Sequence, residues 1–374
     1  MTLEPHNGLL PGSRRVYLLQ ALTQQGSVRV ADVADALGVS SITIRRDLAQ
    51  LADEGLVHRV HGGAQLIRDA SIPIQPAVPV VATRTPTSTS VGMIVPSLDY
   101  YWPEIVRGAE EEARSRGLHT VLRGSSYGND DDQTQIEHLL DQARVGGLLL
   151  APNMDSPRAA EMLDWLVTTG VPSVLVERQA TVPPHDQPME SVVSDHASGA
   201  MAAVRHLVDL GHTRVGLVLS EQSPTGPHVR RGWIQASAEC GLDVSGVVDR
   251  MVARRQSLDA DPVIGDIIDE CLSSGTTALL VHADPEAIAI VQQCQNQGLH
   301  VPGDLSIVAY DDEVAGLFSP AITAVRPPRS SIGRAAMWLL ASRMDDAHLP
   351  THRIVVTPKL QVRDSTGPAT RVQD

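Results

Sequence analysis

Two hydrophobic periods divide this chain. Between Val30 and Leu51 apolar residues recur at helical spacing, and beyond Val91 short continuous apolar runs alternate with amphipathic stretches. In the first region Val30, Val33, Ala34 and Leu37 share one face of a short helix, and Gly38-Val39 supplies a turn. A second helix is predicted from Ser40, whose hydroxyl can cap a free backbone N–H, to Glu54, with Gly55 ending it. On that helix Ile44, Leu48 and Leu51 form a packing stripe, while Ile42, Thr43, Arg45, Arg46 and Gln50 fall on the opposite side. The stretch 57–61 then alternates like a short strand and runs into Gly62-Gly63, a flexible turn. Helix, turn, helix and wing follow one another at the spacing of a reader that lays its second helix in a DNA groove.

The second region reads differently. Strands are predicted at 91–95, 120–122, 147–151, 173–176, 214–219, 278–281 and 306–310, separated by helices at 103–116, 134–143, 159–168 and 196–210. Strands that are apolar throughout, alternating with helices, indicate parallel sheets covered on both faces. Two such series in succession predict two doubly wound lobes, with a ligand cleft at the carboxyl ends of their strands. Between the regions, Pro73, Pro76, Pro79 and Pro86 interrupt a Thr-, Ser- and Val-rich stretch with no helical period, as expected of an extended spacer. The predicted organisation is a reader over 1–65, a linker over 66–90, a two-lobed α/β domain over 91–366 and a tail over 367–374.

Composition narrows the possibilities. The formal charge of −14 is unevenly placed: residues 1–68 carry seven Arg against six acidic residues, so the acidity belongs to the remainder. Such a balance fits a small, directed DNA contact rather than general polyanion wrapping, because phosphate affinity follows local cations. No apolar run approaches the roughly 20 residues that span a bilayer, and residues 1–12 lack the pattern of a secretory signal. A cytoplasmic chain is expected. Cys240, Cys271 and Cys294 stand far apart with no CxxC pair, so neither a metal site nor a disulfide framework is expected, and no cofactor.

The stretch Arg14 to Ala64 closely resembles the winged helix-turn-helix of the DeoR family of transcription regulators. The resemblance rests on Arg14-Arg15, 30–34, Thr43-Ile44-Arg45-Arg46-Asp47-Leu48, Gly55-Leu56-Val57, Arg59 and His61-Gly62-Gly63-Ala64. It implies double-stranded DNA as partner. Arg45 and Arg46 suit base or phosphate contacts; Ser40, Ser41 and Thr43 suit phosphates at a helix start; Arg59 and His61 suit the backbone or minor groove from the wing. From Val91 to Thr366 the chain resembles the LacI/GalR effector domain, through 207–216, Arg231-Gly232-Trp233 read as a helix start, 298–308, Tyr310-Asp311-Asp312, 320–325 and 360–365. That resemblance implies a periplasmic-binding-protein-like (type I) pair of lobes joined by three crossovers, a homodimer, and a sugar or nucleoside effector. It also implies that Trp102 and Tyr101 stack on the ligand and that Asp284 accepts from its hydroxyls.

Arg123, Ser125, Ser126 and Arg178 follow strands and can add donors to the cleft. The family's ligand-binding Arg position is Val229 here, with Arg230 displaced by one and Thr225 in the loop before it. The whole reads as a chimera of two regulator families: a ligand-controlled repressor. Two other classes compete with it, a sugar-metabolising α/β enzyme and a solute-binding protein. The enzyme reading has no GxSxG, P-loop, HExxH or dinucleotide glycine pattern behind it, and the solute-binding reading meets a reader domain with no signal peptide. No catalytic residues and no membrane partner are expected.

Overall fold

The computed structural model describes residues 18, 27–37, 39, 41–53, 57–60, 63–66, 89–125, 132–183, 185–221, 223–253 and 262–369. The chain divides into two compact units, Met1–Thr83 and Arg84–Asp374. Most of the expected linker and tail (67–88 and 370–374) lies outside the described residues.

In the first unit α1 (Val30–Leu37) and α2 (Ser41–Asp53) accompany a small antiparallel sheet of order β1-β3-β2, where β1 is Ser27–Arg29, β2 Val57–Val60 and β3 Gly63–Leu66. Ile44, Leu48 and Leu51 are buried with Val28, Val33, Ala34, Val57 and Ala64, so the predicted stripe is the packing face. Val39 turns the chain between the helices by donating its N–H to the Ala34 carbonyl at 3.1 Å. Periodicity misses β1 and β3, because strands of three and four residues are too short to show an alternation. In β3 a Cβ on Gly63 would stand 2.0 Å from the Val28 carbonyl oxygen, so the wing needs glycine there.

The second unit contains two lobes, each built on a six-stranded sheet. The first lobe has β4 (Ser90–Val95), β5 (His119–Gly124), β6 (Gly147–Leu150), β7 (Ser173–Val176), β10 (Ser191–Ser194) and β16 (Arg353–Val356), in the order β16-β10-β7-β6-β4-β5, all parallel. A short hairpin, β8 (Thr181–Val182) and β9 (Gln187–Pro188), stands apart. The second lobe has β11 (Val215–Ser220), β12 (Asp249–Val252), β13 (Ala278–His282), β14 (Ser306–Tyr310), β15 (Thr323–Arg326) and β17 (Lys359–Gln361), in the order β12-β11-β13-β14-β15-β17, with only the last pair antiparallel. The central strands β6, β11, β13 and β14 are buried along their whole length, as continuous apolar runs require.

Three crossovers join the lobes. The chain passes from β10 through Asp195 into the helix His196–Asp209, from β15 through Pro327-Pro328 into the helix Arg329–Asp345, and from β16 to β17. Asp195 caps the first of these helices, its carboxylate accepting from the Ser198 N–H at 3.0 Å. The Arg329–Asp345 helix packs closely on Trp102–Ser115: a Cβ on Gly333 would lie 1.9 Å from the Ile105 carbonyl oxygen, and one on Gly108 2.1 Å from that of Ser330. One expected boundary moves. Arg231-Gly232-Trp233 is not a helix start but the second turn of Gly226–Glu239, which begins earlier because Pro227, lacking an N–H, fits the first turn. Residues just past β4, β7, β11, β13 and β14 therefore converge where the lobes meet.

Candidate reading helix and effector cleft

In the first unit Ser41, Arg45 and Arg46 are exposed on α2 and Thr43 is half-buried. The first turn of that helix carries no acidic residue, so no side-chain anion there opposes the attraction of its positive dipole end for a phosphate. Arg59 lies on β2, but its side chain, like Ser40 and His61, falls outside the described residues.

In the second unit the structure changes several of the expected effector contacts. Asp284 is fully buried. Its Oδ1 accepts the Asp312 N–H at 3.1 Å, and its Oδ2 accepts those of Glu313, Val314 and Ala315 at 2.7, 2.8 and 3.0 Å. Burial pushes its pKa up to about 6 against the pull of these donors. A fully buried carboxylate with both oxygens engaged in this way pins the 312–315 loop, which is a different role from the expected acceptance of effector hydroxyls.

Trp102 is also corrected. It is 2% exposed among Val95, Ile105 and Ala151 in the core of the first lobe, with the Arg178 guanidinium 5.8 Å from its ring centre. Its bulk completes the packing beneath the helix it begins, so it offers no open face for stacking. Arg230 turns away to make a bidentate pair with Asp249. Val229, at the family's Arg position, is wholly buried in the core.

Of the other expected residues, Tyr101 lies at the seam, with the Arg329 guanidinium over its ring. The Tyr101 hydroxyl donates to Glu177 Oε1 at 2.8 Å, and its ring meets Trp102 edge to face. Arg178 is held to the Pro152 and Glu177 carbonyls at 3.0 and 2.7 Å. Ser125 is half-buried past β5, while Arg123 is exposed on that edge strand. Thr225 precedes the Gly226–Glu239 helix and gives its N–H to Ser223 Oγ at 3.2 Å. Ser126 lies outside the described residues.

Around these the structure assembles a buried polar network in which Glu177, the polar residue directly after the strand 173–176, meets Ser194 and His196, which no local pattern marks. Glu177 accepts from Ser194 N–H and Oγ at 2.9 and 2.7 Å and stands 3.6 Å from His196 Nε2. Burial opposes its ionisation, but the His196 and Ser194 bonds prevail and hold it near 2. The Tyr310 hydroxyl donates to the His196 carbonyl at 3.0 Å and lies 3.2 Å from the ring Nδ1. Next to it, Asp311 adopts φ +99° and Asp312 φ +54°, a strained pair for residues bearing a Cβ.

That turn is fixed from three sides: Asp284 takes its N–H groups, Arg326 and Arg363 bind Asp312 at 2.7 and 2.9 Å, and Arg329 donates to the Asp311 carbonyl. Asp311 itself is 5% exposed, with His282 Nε2 3.8 Å from its carboxylate. Burial pushes it up to about 6 while His196 and Arg329 pull it down. Its sequence signal was the Tyr310-Asp311-Asp312 triplet at the end of a buried strand. Among the described residues no cluster of His, Cys, Asp and Glu is placed to hold a metal, and no helix is long and apolar enough to cross a membrane.

Comparison with known proteins agrees with this architecture. Residues 14–70 match a DeoR-like helix-turn-helix domain, and residues 204–366 match a periplasmic binding protein-like domain. The chain is 25% identical to the HTH-type transcriptional regulator DegA of Bacillus subtilis, covering 91% of this chain and 98% of DegA. It is 27% identical to the HTH-type transcriptional repressor CytR of Escherichia coli, covering 93% and 99%. The solved complex of the transcriptional regulator CelR with cellobiose has the same fold, with a TM-score of 0.63 at 22% identity over 87% of this chain and 91% of CelR. A LacI family transcriptional regulator from Mycobacterium smegmatis gives a TM-score of 0.59 at 26% identity over 75% of this chain and all of that one. These relatives are regulators, not enzymes. The chain is a DNA-binding transcription regulator in which a DeoR-like helix-turn-helix domain is joined to a periplasmic binding protein-like domain.

Proposed function

We propose that the chain is a repressor, acting in the cytoplasm, whose operator affinity is set by a carbohydrate or nucleoside held between the two lobes. The observation that carries this reading is Asp311: a buried carboxylate on a strained and fully pinned turn, at the junction where Tyr101, Glu177 and Arg178 arrive from the other lobe. A hydroxyl-bearing ligand supplies donors to Asp311 and an apolar face to the aromatic loop, and the polar groups that it pairs give selectivity against analogues lacking those hydroxyls. CelR, a structural relative, binds cellobiose. Arg45 and Arg46 are the residues assigned to base edges or phosphates, with Ser41 and Thr43 at the helix start.

A homodimer completes the reading, because one short helix reads few base pairs and twofold pairing of half-sites multiplies specificity. Calorimetry with cellobiose, ribose and ribonucleosides tests the cleft. One of them binds the wild type, and Asp311→Asn weakens it by about tenfold or more, as loss of a charged acceptor implies. A ligand that Asp311→Asn binds as tightly as wild type refutes the assignment. Sedimentation showing a 40.0 kDa species alone at micromolar concentration refutes the dimer.

A further inference from the structure

Arg329 occupies an unusual position in the second unit. It opens the helix Arg329–Asp345, directly after the Pro327-Pro328 crossover, and is 4% exposed. From the first lobe it takes Glu104, whose Oε2 accepts its Nε–H at 2.9 Å, and the face of Tyr101, whose ring centre lies 5.6 Å from the guanidinium carbon. Toward the second lobe its NH1 donates to the Asp311 carbonyl and stands 3.3 Å from Glu313 Oε1. One guanidinium thus holds two groups on each side of the seam.

The surrounding charges make that bridge consequential. Glu104, Asp284, Asp311 and Glu313 all act electrostatically on one another or on Arg329. Arg326 and Arg363 are both engaged with Asp312. Glu313 Oε1 is buried with no hydrogen bond, so the nearby Arg329 charge is what offsets its desolvation. Burial raises Glu313 to about 7, and Arg329 opposes that rise. With the guanidinium gone, the seam holds carboxylates facing carboxylates, and buried charge without a partner drives the surfaces apart. The same residue fixes the backbone of Asp311, the carboxylate assigned to the effector.

We propose that Arg329 is the positioning residue that ties the effector-binding turn of one lobe to the aromatic loop of the other, latching the cleft closed when that turn is in place. The proposal rests on the effector reading for its purpose but not for its test. Coupling of this kind requires an element with two arrangements, whose balance the ligand shifts. Here the element is the seam, and Arg329 sets its balance.

The test is pulsed electron resonance on the full chain in a Cys240→Ser background, with spin labels at Glu110→Cys on the first lobe and Asp269→Cys on the second. Mixed with excess unlabelled chain, so that a dimer carries one labelled protomer, the parent gives one narrow interlobe distance. Arg329→Gln shifts and broadens it, reducing the ratio of closed to open molecules by about tenfold or more, and Arg329→Lys restores most of the closed population. Should Arg329→Gln fail to fold, Glu313→Gln, which alters a partly exposed carboxyl, is expected to move the distribution the same way by a smaller amount. Distributions for both Gln variants that superimpose on the parent overturn the proposal, as does an Arg329→Lys variant as open as Arg329→Gln. Because the distance is read without any effector, failure of the latch and failure of the calorimetric binding test are separate results.

Discussion

Replacing Asp284 separates a loop anchor from a ligand contact. The side chain accepts four backbone N–H groups, one on Oδ1 and three on Oδ2, from residues 28 to 31 positions further along the chain. An unsatisfied buried donor costs about 1–3 kcal/mol. Some of the four find water or rearrange once the side chain is gone, so Asp284→Ala is expected to cost about 4 kcal/mol rather than the full sum. Asp284→Asn behaves differently. With its carbonyl oxygen at the Oδ2 position it keeps three donors and sets its amide against the Asp312 N–H alone, for about 1–2 kcal/mol. The assay is urea denaturation followed by far-UV circular dichroism, comparing midpoints at constant slope. An Asp284→Ala midpoint equal to wild type refutes the reasoning. So does an Asn variant as unstable as the Ala variant, since the cost would then not follow the number of donors lost.

Three further outcomes follow from the same geometry. Arg46→Ala is expected to lose about 1–3 kcal/mol of specific DNA binding in fluorescence anisotropy at fixed salt, with urea stability unchanged; equal affinity refutes the assignment of that exposed face. Trp102→Ala is expected to destabilise the second unit by about 3–5 kcal/mol, as loss of a buried Trp does, measured by the urea midpoint, and a change of less than about 1 kcal/mol would show that the ring is not part of the core. Asp311, raised from 3.8 to about 6 chiefly by burial, contributes stability that is full below its unfolded value and is lost as pH rises through 6. A shift of that size corresponds to about 3 kcal/mol, so Asp311→Asn should flatten the fall in urea midpoint between about pH 4 and pH 7, and parallel profiles for the two proteins refute it.

What the sequence disclosed, and what it withheld, follows from the range of the interactions. Ile44, Leu48 and Leu51 announce a helix and its buried face because both depend on neighbours within two turns. The strands 278–282 and 306–310 announce themselves because a strand covered on both faces must be apolar throughout. The roles of single polar residues depend on partners far away. Arg329 meets Glu104 across 225 residues and Arg230 meets Asp249 across 19, and no local pattern encodes either pair. The acidic residue following strand 278–282 was legible, but whether it faces a ligand or a loop is decided by the backbone of 312–315. Trp102 reads the same way: an aromatic at the end of a loop can point into the cleft or under its own helix, and here packing with Ile105 and Val95 takes it inward. Asp311 stands within the Tyr310-Asp311-Asp312 triplet at the end of a buried strand, yet its positive φ, the feature that marks it, belongs to the folded turn.

In the proposed function the cleft of the second unit controls what the first unit does to DNA. The most direct measurement is anisotropy of labelled DNA from upstream of the protein's own gene, titrated with the full chain in the presence and absence of the carbohydrate or nucleoside that binds it by calorimetry. This ligand is expected to change the DNA affinity by about fivefold or more, the lower end of typical coupling, and Asp311→Asn to bind the same DNA without responding at the same ligand concentration. A DNA affinity indifferent to the ligand, or an Asp311→Asn variant that responds as wild type does, would contradict it.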